Sequence, residues 1–299
     1  MGDEVHKADM NKIASLIQLG FGILMIIAPA IAAYLLDTQG IEVIFYIDII
    51  TFCSALLVIS SMSFFKNTIQ EKNKNISFFK GVKQSYHYIK KDKLLWLSLI
   101  FFVFIEFSIS QVTVLITPII LSISTKSTLG IIMSIAGVGM LLGSILLFFI
   151  KIKNYLYWIN IFAILQALIF FLAILNVGVI SIAFGAFLFM FFSSLIGVLN
   201  YTYWQEQVEQ KIKGRIFGFR QSMIMFSIML GYMASAPMSH LTQTVINHFP
   251  SVLNMIGSYL HPEIRLLFMI NAVFIVIIVV FIHRQQSLIN KKLIYKGQV

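Results

Sequence analysis

The chain has 299 residues, 59% of them apolar and only 11% charged, with a mean hydropathy of +0.91. Soluble domains are about half apolar and about a quarter charged, so this composition excludes an ordinary water-soluble fold and points to a polytopic membrane protein. The formal net charge of +10 would suggest nucleic acid on a soluble chain. Here the basic residues gather in alternate loops, so the expected partner is the lipid bilayer and nucleic acid is excluded.

Eight apolar spans are predicted, at 12–36, 41–65, 94–121, 128–150, 154–175, 177–203, 219–242 and 264–283. Each holds about the 20 residues that a helix needs to cross ~30 Å of hydrocarbon. Period-two alternation is lacking, so strands do not compete. The first span follows a short N-terminus of mixed charge, and it is too long for a signal peptide. Cys53, the single cysteine, lies in the second span and rules out an intrachain disulfide or a thiolate metal cluster.

Between the second and third spans, residues 66–93 carry eight lysines against two acids, Glu71 and Asp92. Such a loop stays in the cytoplasm and orients the rest. With the N-terminus inside, 20 of the 22 basic residues fall in cytoplasmic segments, and only Lys126 and Arg265 lie outside. That tally places Arg220 with Lys211, Lys213 and Arg215 on the inner side. The expected topology is therefore eight spans with both termini cytoplasmic, in the inner (plasma) membrane. Within the loop, Phe79, Val82, Tyr86 and Ile89 recur at helical spacing among lysines, which suits an interfacial helix along the cytoplasmic leaflet or, alternatively, a solvated linker. His261-Pro262-Glu263 reads as the start of the last helix, with proline in the first turn and an acid near the positive end of the dipole.

The first two spans carry a recognisable pattern. Ile27-Ala28-Pro29-Ala30-Ile31-Ala32-Ala33 is followed by Phe45-Tyr46-Ile47-Asp48-Ile49-Ile50-Thr51-Phe52. Together they resemble the fifth and sixth helices of the major facilitator superfamily, in its macrolide-efflux and enterobactin-exporter-like branch. The pattern there is roughly G-P-x-x-G-G, then F-x-I-D-x-x-T-F. The proline and Asp48 match, while alanine stands for each glycine. Val82 to Lys91 resembles the family's central loop, Gly137 to Ser144 its eighth helix, and Gly214-Arg215-Ile216-Phe217 the G-R-V-F element before its eleventh. The resemblance implies twelve helices in two six-helix halves, so this chain would begin just before the fifth. The implied division is 1–65 as a two-helix remnant of the N-terminal half, 66–93 as the basic cytoplasmic loop, and 94–299 as a complete six-helix C-terminal half of 3+3 inverted repeats.

Glu106 falls mid-way through the third span. An ionisable group at that depth is costly unless protonated, paired or facing water. Two readings stand: a proton-coupling acid, or a neutral glutamic acid bonded to a neighbour such as Gln111 or Gln166. Gln111 is itself a candidate for substrate contact. Asp48 lies seven residues into its span; a structural bond between helices is favoured over substrate or proton binding. Gly137, Gly139 and Gly143 are spaced G-x-G-x-x-x-G in an apolar helix with no strand before it. That excludes a nucleotide fingerprint and leaves Gly139 and Gly143 as a close-packing face. Pro29 belongs with them as a packing or gating position, and Ser193/Gly197 and Ser227/Gly231 are similar small-residue faces. Arg215, after Gly214 at a cytoplasmic helix junction, is placed to pair with Glu206 or Glu209; the resemblance implies that this basic turn helps to latch the cytoplasmic gate, the other reading being an ordinary inside charge. Tyr201, Tyr203 and Trp204 read as interfacial aromatics.

A Walker-type phosphate loop and an H-E-x-x-H zinc motif are both lacking, so no cofactor, metal or enzymatic activity is expected. The expected fold is an all-α membrane bundle of major-facilitator type with about eight transmembrane helices. The expected function is secondary export of a small amphipathic compound (drug, macrolide or siderophore) by proton antiport. The alternative is a truncated, non-transporting remnant, or a half-transporter whose separately encoded partner supplies the missing helices.

Overall fold

The computed structural model describes residues 2–62, 78–150, 152–172, 178–249, 251 and 261–295. Among these the regular structure is all helical. The helices are α1 (Gly2–Gln39), α2 (Ile41–Met62), α3 (Phe78–Lys91), α4 (Lys93–Ile123), α5 (Lys126–Phe149), α6 (Tyr155–Leu172), α7 (Val179–Gln207), α8 (Lys213–His248) and α9 (Pro262–Tyr295). Seven of them, α2 and α4 to α9, are long and apolar enough to cross a membrane. In α1 the described apolar stretch is Ala14–Ala28, which lies inside the first expected span at 12–36.

Local chemistry sets the helix ends. Asp92 caps α4, its Oδ1 accepting from the backbone N–H of Leu94 (2.9 Å) and Leu95 (3.1 Å). Thr125 caps α5 through the Thr128 N–H. These caps satisfy donors that the first helical turn leaves orphaned. At the start of α9, His261 takes a positive φ of 53° and its Nδ1 lies 3.0 Å from the Glu263 carboxylate. Pro262 occupies the first turn, as the His-Pro-Glu sequence predicts.

In lipid, apolar burial does not drive helices together; close contact between backbones does. α5 packs most extensively on α7 and α1, and α4 on α8, with α6 and α9 closing the bundle. Gly139 sits against the Phe187 carbonyl and Gly143 against Phe191 and Ser194. α1 docks on the other side of α5, with Gly22 against Leu141 and Gly137 against Ile26. By contrast, α2 packs chiefly on α1, and no part of its apolar stretch is buried.

α3 forms a helix over Phe78–Lys91, the segment expected to hold an interfacial helix. Its stripe is divided: Ile89 and Ser85 are fully buried, while Phe79 is 81% exposed. Ile89 joins a small core with Leu95, Leu99, Tyr203, Trp204, Val208 and Ile216, so α3 caps the end of the bundle formed by α4, α7 and α8.

Candidate substrate and proton site

The α4–α8 pair builds the site. The buried side of α8 is the stripe Ile216, Arg220, Ile224, Ser227 and Gly231, spaced three and four apart as one helical face requires. The Ser227 hydroxyl donates to the Val103 carbonyl. Gly231 lies against the Phe107 carbonyl and Ser110. These two small residues bring α8 close to the α4 turn that carries Glu106.

Glu106 is half-buried, and among the described residues its carboxyl forms no hydrogen bond or ion pair. The two neutral partners considered for it are engaged elsewhere. Gln166 donates to Ser193 Oγ (2.5 Å) and the Phe189 carbonyl (3.4 Å). Gln111 is buried, donates to Met238 Sδ (3.4 Å) and accepts from Asn271 Nδ2 (3.1 Å), so it ties α4 to α8 and α9.

The charge whose field reaches Glu106 is Arg220. Arg220 is only 8% exposed, so it is packed among the helices rather than standing free in a loop. Its guanidinium carbon lies 5.1 Å from the Trp204 ring and 5.9 Å from both Phe102 and Phe217. Such a cage offsets desolvation through the ring quadrupoles. The Arg220 Nε finds no acceptor among the described residues, and no direct ion pair to Glu106 forms. Trp204 forms one wall of this cage rather than a membrane-interface anchor: it is fully buried and donates from Nε1 to Ser98 Oγ at 3.1 Å. Tyr203 is likewise buried. The arrangement is a carboxyl with no hydrogen-bond partner among the described residues, on α4 one turn after Phe102, on whose ring packs an arginine with no counter-ion in contact among those residues. It can exchange a proton without breaking an existing bond.

The remaining expected residues lie apart. Asp48 is exposed on α2, and its carboxylate bonds no other helix among the described residues. The interhelical bond expected of it is absent there. Pro29 is within α1, and its side-chain surroundings fall outside the described residues. Gly214 is exposed, and an added Cβ would meet nothing within 4 Å. Arg215 does not pair with Glu206 or Glu209. It donates from Nη1 to Gln84 Oε1 of α3 at 2.9 Å, while Glu206 accepts from the Tyr155 hydroxyl at 2.8 Å. Arg215 therefore ties α8 to the capping helix. Among the described residues, no three His, Cys, Asp or Glu side chains gather to hold a metal ion.

Arg220 and its cage are what residue-by-residue reading overlooked. The signal was available: Arg220 falls on the same helical stripe as the small residues Ser227 and Gly231, the face expected to pack. In a comparison with known families, the model described as Major Facilitator Superfamily matches residues 2–232. No curated protein and no solved structure matches.

Proposed function

The chain belongs to the major facilitator superfamily, and on that premise we propose that it is a secondary exporter, exchanging protons for a small amphipathic compound of the drug, macrolide or siderophore kind. That it is a multi-pass membrane transporter follows from the family and the seven apolar helices. The proton coupling rests on one observation. Among the described residues, Glu106 sits mid-helix with no hydrogen-bond partner, in the field of a buried arginine that has no counter-ion in contact. In this reading Glu106 takes up and releases the proton, and Arg220 is the buried cation whose field reaches it.

The export direction and the exporter-like branch rest on the motif resemblance around Asp48 and Gly214-Arg215. The proposed setting is the inner membrane with both termini cytoplasmic, supported by the lysines of residues 66–93 under the positive-inside rule.

The test uses proteoliposomes with an internal pH dye and an imposed proton gradient. Adding an amphipathic macrolide or siderophore to the wild-type protein is expected to dissipate the gradient. Glu106→Gln should lose about 10²-fold of that flux, the low end of what a positioned proton-transfer group supplies, while still quenching with the compound on binding. Flux in Glu106→Gln equal to wild type would remove Glu106 from the mechanism.

A further inference from the structure

A cavity lies at one end of α6, α7 and α9. It has a volume of about 530 Å³ and is lined by Lys153, Tyr155, Tyr157, Glu206, His283 and Gln286, among others. The three helices place it at a definite depth. Tyr155 and Tyr157 lie in the first turn of α6, Glu206 in the last turn of α7, and His283 and Gln286 toward the end of the apolar part of α9. All three helices leave the hydrocarbon here, so the cavity lies at headgroup level, where tyrosines are favoured.

Its polar groups come in two opposite sets. The Tyr155 hydroxyl donates to one oxygen of Glu206 at 2.8 Å, which holds the carboxylate in place and leaves its second oxygen to accept. The rings of Tyr155 and Tyr157 beside it offer a cation further attraction. On the other side stand Lys153, exposed at the mouth, and His283. Asn160 reaches His283 Nδ1 (3.4 Å) and donates to Gln286 Oε1 (2.9 Å). An amide donor at Nδ1 makes that nitrogen the acceptor and leaves Nε2 to carry the imidazole N–H. The cavity thus presents one carboxylate acceptor with aromatic walls, and one ammonium with one imidazole donor.

From this we infer that the cavity binds a zwitterionic phospholipid headgroup, its primary ammonium on Glu206 and its phosphate on Lys153 and His283. A purely anionic headgroup satisfies only the second set and sets its charge near Glu206. A soluble solute does not explain why the site opens where three spans leave the bilayer. The inference is independent of proton coupling at Glu106, which lies on α4, a helix that contributes nothing to this cavity.

The test is lipid retention. The full chain is purified from micelles doped with equimolar dioleoyl phosphatidylethanolamine and dioleoyl phosphatidylglycerol, and bound lipid is counted by native mass spectrometry. Wild type should retain the ethanolamine lipid in about tenfold preference, what one charge-assisted hydrogen bond supplies. Glu206→Gln should abolish the preference. Because that change also touches the Tyr155 bond, Lys153→Gln at the exposed mouth provides a second reading with little risk to folding. It should weaken retention of both lipids while preserving their ratio. No preference in wild type, an unchanged preference in a monodisperse Glu206→Gln, or unchanged retention in Lys153→Gln would each overturn the assignment.

Discussion

α2 and α4 are both apolar enough to cross a bilayer, and both carry an acid within the span, yet they sit in opposite surroundings. Half of α4's apolar stretch is buried and none of α2's is. On α4, Glu106 is half-buried beside α8 and in the field of Arg220. On α2, Asp48 is exposed and unpartnered among the described residues. Hydropathy records only that a helix tolerates lipid. Whether it also packs depends on small residues that let backbones meet. α8 presents Ser227 and Gly231 to α4, and α5 presents Gly139 and Gly143 to α7, whereas α2 contains no glycine at all.

The largest expected effect separates the two acids. Glu106→Gln should remove proton-coupled flux, whereas Asp48→Asn should leave it within about twofold and raise the yield of inserted protein. On insertion scales an aspartate at the centre of a span costs ~2.5–3.5 kcal/mol, which the neutral amide reduces. Flux assays on matched amounts of inserted protein read both. A collapse of transport in Asp48→Asn would break the contrast and show that a neighbour covers the α2 carboxylate. Arg220→Gln adds a sharper cut: if the pair works as a unit, the double variant with Glu106→Gln should be no worse than Glu106→Gln alone.

Packing gives the next effect in size. A Cβ on Gly143 would sit 2.6 Å from the Phe191 carbonyl oxygen and 3.1 Å from Ser194 Cβ. Gly143→Ala should therefore cost about 1–3 kcal/mol, the usual range for overpacking, seen as a lower unfolding temperature in detergent. Ala55→Leu on α2 is a larger enlargement in volume. Ala55 is exposed, so that change should leave the unfolding temperature unchanged. A loss of stability in Ala55→Leu would place a packing neighbour on α2.

Much of this was legible in the sequence, and the misses share a cause. Span positions follow from apolar length, and the small residues on α5 and α8 can be read at intervals of four. The start of α9 follows from His261-Pro262-Glu263. The burial of Arg220 and Trp204 was missed because the positive-inside rule and the aromatic-belt rule are statements about depth alone. Both residues lie near a helix end, where depth allows either water or a neighbouring helix. The helical face, not the depth, puts Arg220 among Phe102, Trp204 and Phe217. Arg215 was matched to Glu206 and Glu209 by closeness in sequence, but the structure gives Tyr155 to Glu206 and Gln84 to Arg215. Partners 51 and 131 positions apart meet only once the bundle has closed, and pairing by sequence distance cannot anticipate that.

The smallest expected effect concerns α3, which lies in sequence between the exposed α2 and the packed α4. Two of its contacts differ in strength. Ile89 is fully buried in the core beneath it, whereas the Arg215–Gln84 bond is solvent-exposed. An exposed hydrogen bond contributes about 0.5–1.5 kcal/mol, so Arg215→Ala should raise the local opening of α3 by about threefold to tenfold. Hydrogen exchange over residues 78–91 would read this directly, with α4 serving as the internal reference. Ile89→Ala should open the same segment far more, since truncating a buried isoleucine typically costs about 2–5 kcal/mol. If Arg215→Ala leaves exchange unchanged, the α8–α3 bond contributes nothing and the cap is held by its buried packing around Ile89. If Arg215→Ala instead opens α3 as much as Ile89→Ala does, Arg215 is the main fastening between α8 and the cap, the position that a cytoplasmic gate latch would occupy.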